Sequence, residues 1–211
     1  MKSKPVRPHN YGWIEARLDE TEIDLIWNQI NDTKGKDMKY TLVGQIDKSF
    51  EFFDTDDRYI EECIVKPLVN QYGNEFGHDH TRVPIYRKRK ARPYLHNLWV
   101  NYQGENEYNP VHNHHGLYSF VIWLRQPVSY RENAKHYTSK NASDSFNCTF
   151  GFQYINTMGV IESYLYKLDP TYEGTMLLFP SKLLHHVNPF YNSDQQRVSV
   201  SGNIWLGKPD E

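Results

Sequence analysis

The sequence predicts a mainly β fold of the α+β class. An antiparallel sandwich or barrel fills the second half, and helices from the first half pack on one outer face. Three observations predict it. From residue 95 onward, short runs rich in Val, Ile, Tyr, Phe and Trp follow one another, separated by Gly, Asn, Asp and Pro. Aromatic residues make up 15% of the chain, with sixteen Tyr and five Trp, and such side chains suit pleated, half-buried surfaces. Before residue 73, apolar residues instead recur at helical spacing in two segments.

Residues 1–11, with Pro5 and Pro8, read as an extended arm, and residues 13–18 fit a short strand. Asp19-Glu20-Thr21-Glu22 opens a helix, because Asp19 can cap it and an acidic first turn complements the helix dipole. Ile23, Ile26, Trp27 and Ile30 form its apolar face, and it should end near residues 31–36. Residues 40–46 predict a short strand, followed by apolar surface from Phe50, Phe52 and Phe53. Asp54-Thr55-Asp56-Asp57 opens a second helix with a buried stripe of Tyr59, Ile60, Cys63, Ile64, Leu68 and Tyr72. Pro67 falls inside that stripe and should kink the helix. Residues 95–102 and 118–124 predict strands. Residues 146–156 and 160–168 flank Thr157-Met158-Gly159 as a hairpin. Residues 174–179 and 197–206 complete the set, while the polar residues 128–145 predict a mobile loop. No repeat, low-complexity tract or linker divides the chain. It reads as one domain over residues 1–211, with mixed helical support in 1–94 and a β core in 95–206.

The chain has 211 residues, enough to bury a sizeable core. A net charge of -2 gives no global attraction to nucleic acid or to an anionic membrane. Cys63 and Cys148 are the only cysteines, which excludes a disulfide framework and a Cys-rich metal site and suits a cytoplasmic setting. No apolar run approaches the ~18 residues of a transmembrane helix. The basic, polar start of the chain does not resemble a signal peptide. Arg87-Lys88-Arg89-Lys90-Ala91-Arg92 is a basic run. On a slightly acidic chain it fits a solvated loop or a guarded strand edge better than a nucleic-acid patch.

The chemistry concentrates in Asn109-Pro110-Val111-His112-Asn113-His114-His115-Gly116. Asn-Pro and Gly are turn signals, so surface histidines in a turn are the plain alternative. If the stretch is extended, His112 and His114 share one face. Two imidazoles on one face form half of a site for Fe, Zn, Cu or Ni. The candidate source of a third ligand is Leu178-Phe179-Pro180-Ser181-Lys182-Leu183-Leu184-His185-His186-Val187. Beyond a polar turn, Arg197 and Ser199 alternate onto one face of a strand. A guanidinium pairs bidentately with a carboxylate, and a hydroxyl two residues along can add a hydrogen bond. A metal site beside such a clamp suits a ligand with one end on the metal and a carboxylate at the other. 2-Oxoglutarate has that shape.

The ordered set Asn109-Pro-Val-His112-Asn-His114, Phe179-Pro180-Ser181, His185-His-Val187 and Arg197-Val-Ser199 resembles the 2-oxoglutarate/Fe(II) oxygenases, and their often phage-encoded branch in particular. The resemblance spans roughly residues 43–206 and is strongest from residue 98 onward. It implies a double-stranded β-helix, or jelly roll, with helices on its larger sheet. It implies His112 as first metal ligand, His185 as distal ligand, and Arg197 and Ser199 as binders of the co-substrate carboxylate. Members of the superfamily usually place Asp or Glu two residues after the first His. Here His114 stands at that position, so the resemblance implies a three-His site. Trp99, Asn101 and Gln103 alternate on one strand face and can line the pocket, with Asn101 the first choice for a co-substrate contact. His186 faces away and reads as structural, His115 as either a support to the metal ligands or a residue facing the substrate, Trp123 and Trp205 as core, and Asn203 as a hydrogen-bonding residue inside the barrel.

The implied activity is that of a dioxygenase using Fe(II), 2-oxoglutarate and O₂. It decarboxylates the co-substrate to succinate and hydroxylates a C–H bond of an unidentified protein or small-molecule substrate. The setting would be the host cytoplasm if the chain is phage-encoded. Two other readings compete with it. One is a non-enzymatic jelly-roll module, such as a phage accessory protein with a vestigial metal site. The other is a cupin-like metalloenzyme without 2-oxoglutarate. Arg197 and Ser199 discriminate, since only the oxygenase needs them aimed at the metal.

Overall fold

A computed structural model describes residues 3–5, 10–33, 35–77 and 92–207. In chain order the elements are β1 (Ile14–Arg17), α1 (Glu20–Asp32), β2 (Lys48–Phe52), α2 (Lys66–Phe76), β3 (Arg92–Gln103), β4 (Asn109–His112), β5 (Tyr118–Arg125), α3 (Tyr130–Asn133), β6 (Thr149–Ile155), β7 (Ile161–Lys167), β8 (Thr175–Pro180), β9 (Leu184–Val187) and β10 (Arg197–Gly207). Among the described residues they form a six-stranded sheet, β1-β8-β5-β10-β3-β2, and a four-stranded sheet, β4-β9-β6-β7. From β3 to β10 the chain crosses back and forth between the sheets and all pairings are antiparallel. That is a double-stranded β-helix, as the resemblance implied. β1 and β2 extend the larger sheet at its two edges.

Alternation along each strand sorts the apolar residues into two cores. Leu98, Val100, Phe120, Ile122, Met176, Leu178, Val198 and Val200 face the helices, where Ile26 and Ile30 of α1 and Val69 and Tyr72 of α2 cover them. Val121, Trp123, Leu177 and Phe179 face the other way, against Phe150, Phe152 and Tyr166 of the smaller sheet. Each core-facing set is buried, so a one-residue slip in any central strand would exchange the two faces.

The helix α1 starts where its sequence says. Asp19 accepts from Glu22 N at 2.9 Å, and Glu22 Oε2 accepts from Asp19 N at 2.8 Å, a reciprocal capping box. Elsewhere the expectations need correction. Residues 40–46 are not a strand. The edge of β3 is taken by Lys48–Phe52, so the preceding segment folds as a single 3₁₀ turn, Lys39–Thr41, and crosses the open end of the barrel. The second helix does not begin at Asp54. Its carboxylate instead accepts from Ile60 N at 3.1 Å and Glu61 N at 2.8 Å, and positive φ at Asp57 and Arg58 delays the helix to Tyr59. The apolar stripe carries on past Pro67, as the sequence predicts. Ile60–Val65 winds as a π-helix just before it, and a wider turn relieves the clash a proline ring makes with the preceding turn. The wider turn also shifts the phase of the stripe. Val65 and Val69 turn inward, and Cys63 is exposed rather than buried. Residues 128–145 carry α3, with Ser129 and Glu132 as its capping box, and a 3₁₀ turn at Tyr137–Ser139. The hairpin around Thr157-Met158-Gly159 forms as expected, with Ile155 opposite Ile161 and φ +80 at Gly159. Of the basic run, residues 87–91 lie outside the described residues, and Arg92 begins β3.

Close approach fixes one residue behind the site. A Cβ on Gly151 of β6 would lie 2.4 Å from His186 Cε1 and 2.7 Å from Leu165 Cδ2. Gly151→Ala should therefore destabilise the fold by about 1–3 kcal/mol, the usual cost of overpacking. The check is chemical unfolding, with a lower midpoint and an unchanged slope.

Candidate metal centre

Strand pairing brings the first two histidines together. β4 runs antiparallel to β9, and His112 is the cross-strand partner of His185. Both side chains point into the barrel, where their ring centroids are 4.2 Å apart. His114 lies two residues beyond β4. Its backbone N–H donates to Ser181 O at 2.8 Å, which ties the chain after β4 to the turn before β9. This puts His114 Nε2 3.1 Å from His185 Nε2. One ligand atom from each of the three imidazoles falls within 4.8 Å of the others.

The hydrogen bonds select the tautomers. A carbonyl only accepts, so His112 Nδ1–H donates to Pro110 O at 2.7 Å and His185 Nδ1–H to Leu183 O at 2.9 Å. Each Nε2 is left with a lone pair. Asn109 Nδ2 reaches that of His112 at 3.4 Å. Burial lowers the pKa of all three. His114 falls to about 4, with His112, His115 and Lys182 adding repulsion, and His185 falls well below its ordinary value, with His112 and His114 adding repulsion. Near neutral pH the cluster is therefore uncharged and offers lone pairs.

That arrangement fits a metal ion. Two nitrogens each ~2.1 Å from one ion and at a right angle to each other lie roughly 3 Å apart, which matches the His114–His185 spacing. The same spacing is satisfied by an Nε2–H of His114 donating to His185 Nε2, a proton that a metal ion would replace. Neutral imidazoles suit iron and its neighbours in the first transition row. Phe179 packs on His185 at 4.8 Å between centroids, and Trp99 presents itself edge-to-face to His114 at 5.9 Å. These rings fix the ligand planes and keep bulk water from one side.

The imidazoles open into a cavity of about 520 Å³. Trp99, Asn101 and Gln103 of β3 and Ser199, Ser201 and Asn203 of β10 line it, as alternation predicts. Among the described residues lining it there is no Asp, Glu, Lys or Arg. Asn101 Oδ1 accepts from Ser49 Oγ at 2.8 Å, which leaves its Nδ2 to serve a ligand. Asn203 Oδ1 accepts from Ser119 Oγ at 2.7 Å inside the barrel, as expected.

Arg197 sits behind this wall, fully buried. Nε donates to Gln126 Oε1 at 2.8 Å, Nη1 to Gln103 Oε1 at 3.1 Å and to Asn188 O at 3.3 Å, and Nη2 to Cys148 Sγ at 3.4 Å. Every one of these partners is neutral. Burial lowers the pKa of Arg197, and the Cys148 thiol opposes that shift.

Of the remaining histidines, His186 is buried on the outer face of the small sheet, against Gly151, and His115 is exposed at the cavity. Trp123 is core, but Trp205 is not. It is 37% exposed and stacks on His96 at 4.2 Å along the cavity rim. The sequence reading missed Gln126 and Cys148. A lone Gln carries no signal, and Cys148 earns its place through φ +57 in the turn just before β6, which only the fold reveals.

A family model described as "Putative 2OG-Fe(II) oxygenase" matches residues 97–203, just over half of the chain. No curated protein matches. Among solved structures, the chain is similar to a prolyl-4-hydroxylase from Pseudomonas putida, at 12% identity over 95% of this chain and 94% of that one, with a TM-score of 0.50. It is also similar to an oxidoreductase of the 2OG-Fe(II) oxygenase family from Burkholderia pseudomallei, at 10% identity over 92% and 84%, with a TM-score of 0.52. At such identities these likenesses speak to the fold.

A centre built this way generates two expectations. The double variant His112→Ala/His185→Ala should keep the circular dichroism of the parent and lose Mn(II) or Fe(II) binding in a calorimetric titration. Unchanged metal uptake would refute the centre. His114→Asp should retain or raise iron affinity, since a carboxylate then joins two imidazoles. An affinity that stays the same for both His114→Asp and His114→Ala would place residue 114 outside the centre.

Proposed function

The chain belongs to the 2-oxoglutarate/Fe(II) oxygenase family, and from that premise we propose that His112, His114 and His185 hold the iron while Arg197, with Ser199 and Asn101, receives 2-oxoglutarate. The protein is a dioxygenase that uses Fe(II), 2-oxoglutarate and O₂. The non-enzymatic module and the cupin-like enzyme give way to it.

The observation that carries the site assignment is the state of Arg197. A buried guanidinium ordinarily finds a carboxylate, because an unpaired buried charge is expensive. Arg197 has four hydrogen bonds to neutral groups and no ion pair among the described residues. It lies behind the end of the cavity formed by Gln103 and Ser199. A carboxylate entering from the metal side would supply the missing charge.

When bound, iron with 2-oxoglutarate and O₂ supplies the oxidation of a C–H bond, with loss of CO₂ from the co-substrate. The chain's own residues do the rest. Three neutral imidazoles leave the ion's charge uncompensated, which favours an anionic co-substrate. Pro110 O and Leu183 O hold two of the rings in one tautomer. Ser199 Oγ and Asn101 Nδ2 face one another across the β10–β3 pairing and can orient a carboxylate between them and Arg197. Phe150, Phe179 and Trp99 form the apolar side of the cavity.

The absence of charged side chains from the described lining supports an uncharged reacting group on the prime substrate. We place that group on a peptide or protein residue, by analogy with the prolyl-4-hydroxylase of similar fold.

The test is a calorimetric titration of 2-oxoglutarate into Mn(II)-loaded protein. Wild type should bind at or below millimolar concentration. Arg197→Ala should weaken binding at least about tenfold, the loss of one charge-assisted hydrogen-bonded pair. Arg197→Lys should recover part of it, because an ammonium cannot fork onto two oxygens. Metal affinity should be the same in all three. No binding to wild type would overturn the co-substrate assignment.

A further inference from the structure

We propose that Gln103 is a built-in competitor for the co-substrate: its side-chain carbonyl occupies the place on Arg197 that a carboxylate oxygen of 2-oxoglutarate must take. The inference rests on the proposed role of Arg197.

A guanidinium has five N–H donors. In Arg197 one goes to Gln126, two from Nη1 go to Gln103 and Asn188, and one from Nη2 goes to Cys148. A single N–H on Nη2 is left. Bidentate pairing with a carboxylate needs two adjacent N–H groups. One partner of Arg197 therefore has to leave before a carboxylate can be held by its fork.

Position identifies that partner. Gln126 and Cys148 are buried and do not line the cavity, and Asn188 contributes a backbone carbonyl. Among the described residues Gln103 is the partner of Arg197 that also lines the cavity. It is the cross-strand neighbour of Arg197, with β3 and β10 holding the two side chains abreast.

The orientation of the amide follows from its other bond. Gln103 Nε2 donates to Glu107 O at 2.6 Å. Glu107 is itself fixed, since its carboxylate accepts from Gly104 N at 2.7 Å and from Asp47 N at 2.9 Å. With the NH₂ end committed to a carbonyl, Oε1 is the end that faces the guanidinium. The turn after β3 thus aims an acceptor at Arg197.

An amide is a neutral dipole, whereas a carboxylate shares one full negative charge over two oxygens and can bond through both, so a carboxylate displaces the amide. The displacement lowers the apparent affinity for the co-substrate. It also keeps the buried guanidinium solvated in the free protein.

The experiment titrates 2-oxoglutarate into Mn(II)-loaded wild type, Gln103→Glu, Gln103→Met and Arg197→Ala, with Mn(II) affinity as the check on the fold. Gln103→Glu is isosteric and pairs internally with Arg197, so 2-oxoglutarate binding should weaken at least about tenfold. Gln103→Met keeps the length and removes the acceptor, so binding should tighten by about two- to tenfold, the span of one neutral hydrogen bond. Opposite signs in two variants of equal size are not what a merely structural residue gives. Wild-type affinity in Gln103→Glu, or weakened binding in Gln103→Met, would overturn the inference while the Arg197 clamp stands. If Arg197→Ala binds 2-oxoglutarate as wild type does, the clamp itself fails and the competitor with it.

Discussion

The site depends on the register between β4 and β9. His112 and His185 are direct cross-strand partners on the inner face of the smaller sheet. A slip of one residue would bring Val111 and Leu184 or His186 inward and send the ligands to solvent. Val111 is 45% exposed and Leu184 39% exposed on the outer face, so the slip would gain some apolar burial and must be opposed from elsewhere. What holds the register is the far side of β9. There β6 pairs with it from Phe150 to Gln153, and Phe150 and Phe152 sit in the inter-sheet core. The apolar core thus positions the two imidazoles, and His185 packs directly against its Phe179. His114 needs a separate restraint, and its N–H bond to Ser181 O supplies one.

Much of this was legible in the sequence, for identifiable reasons. β5, β8 and β10 are continuous or alternating apolar runs bounded by turn residues, and such strands look the same in the chain and in the fold. The His112/His114 pair was readable because an extended strand has a fixed period of two. Asn101, Gln103, Ser199 and Asn203 reached the cavity for the same reason. The illegible parts are those where a nonlocal partner decides. Residues 40–46 have strand-like composition, yet β2 pairs with the edge of β3 that β10 leaves open, and Leu42, Val43 and Ile46 line the cavity instead. Cys63 lost its predicted burial to a π turn, a register change with no period to detect in one helix. Trp205 reads as core by size alone, but β10 carries it past the end of the barrel, where His96 stacks on it.

Arg197 shows a limit of another kind. The residue type and its spacing from Ser199 pointed to a carboxylate. The sequence could not show that a buried lattice of neutral acceptors surrounds the guanidinium. That lattice resolves a conflict. A receptor for an anion must be cationic and desolvated to bind tightly, yet an unpaired cation in the interior destabilises the fold. Two glutamines, a carbonyl and a thiol lower that penalty through dipoles that a stronger acceptor can replace.

The same logic links the two ends of the cavity. A ligand set with a carboxylate at position 114 would carry one negative charge, and the iron site would be net singly positive. With His114 in the proposed ligand set, the site would keep both positive charges of the ion. At an effective dielectric near 20, one extra unit charge 4 Å from a carboxylate is worth about 4 kcal/mol before desolvation is subtracted. The described cavity lining adds no acidic group to cancel that field and no basic group to spread it. On the proposed assignment, an incoming dianion would meet positive charge at the metal and at Arg197, with the neutral polar lining between them. Such a site would select for a ligand with two carboxylates at a fixed separation. It does so with fewer charges on the protein than a carboxylate-bearing triad would need, and it leaves the rest of the cavity neutral for the prime substrate.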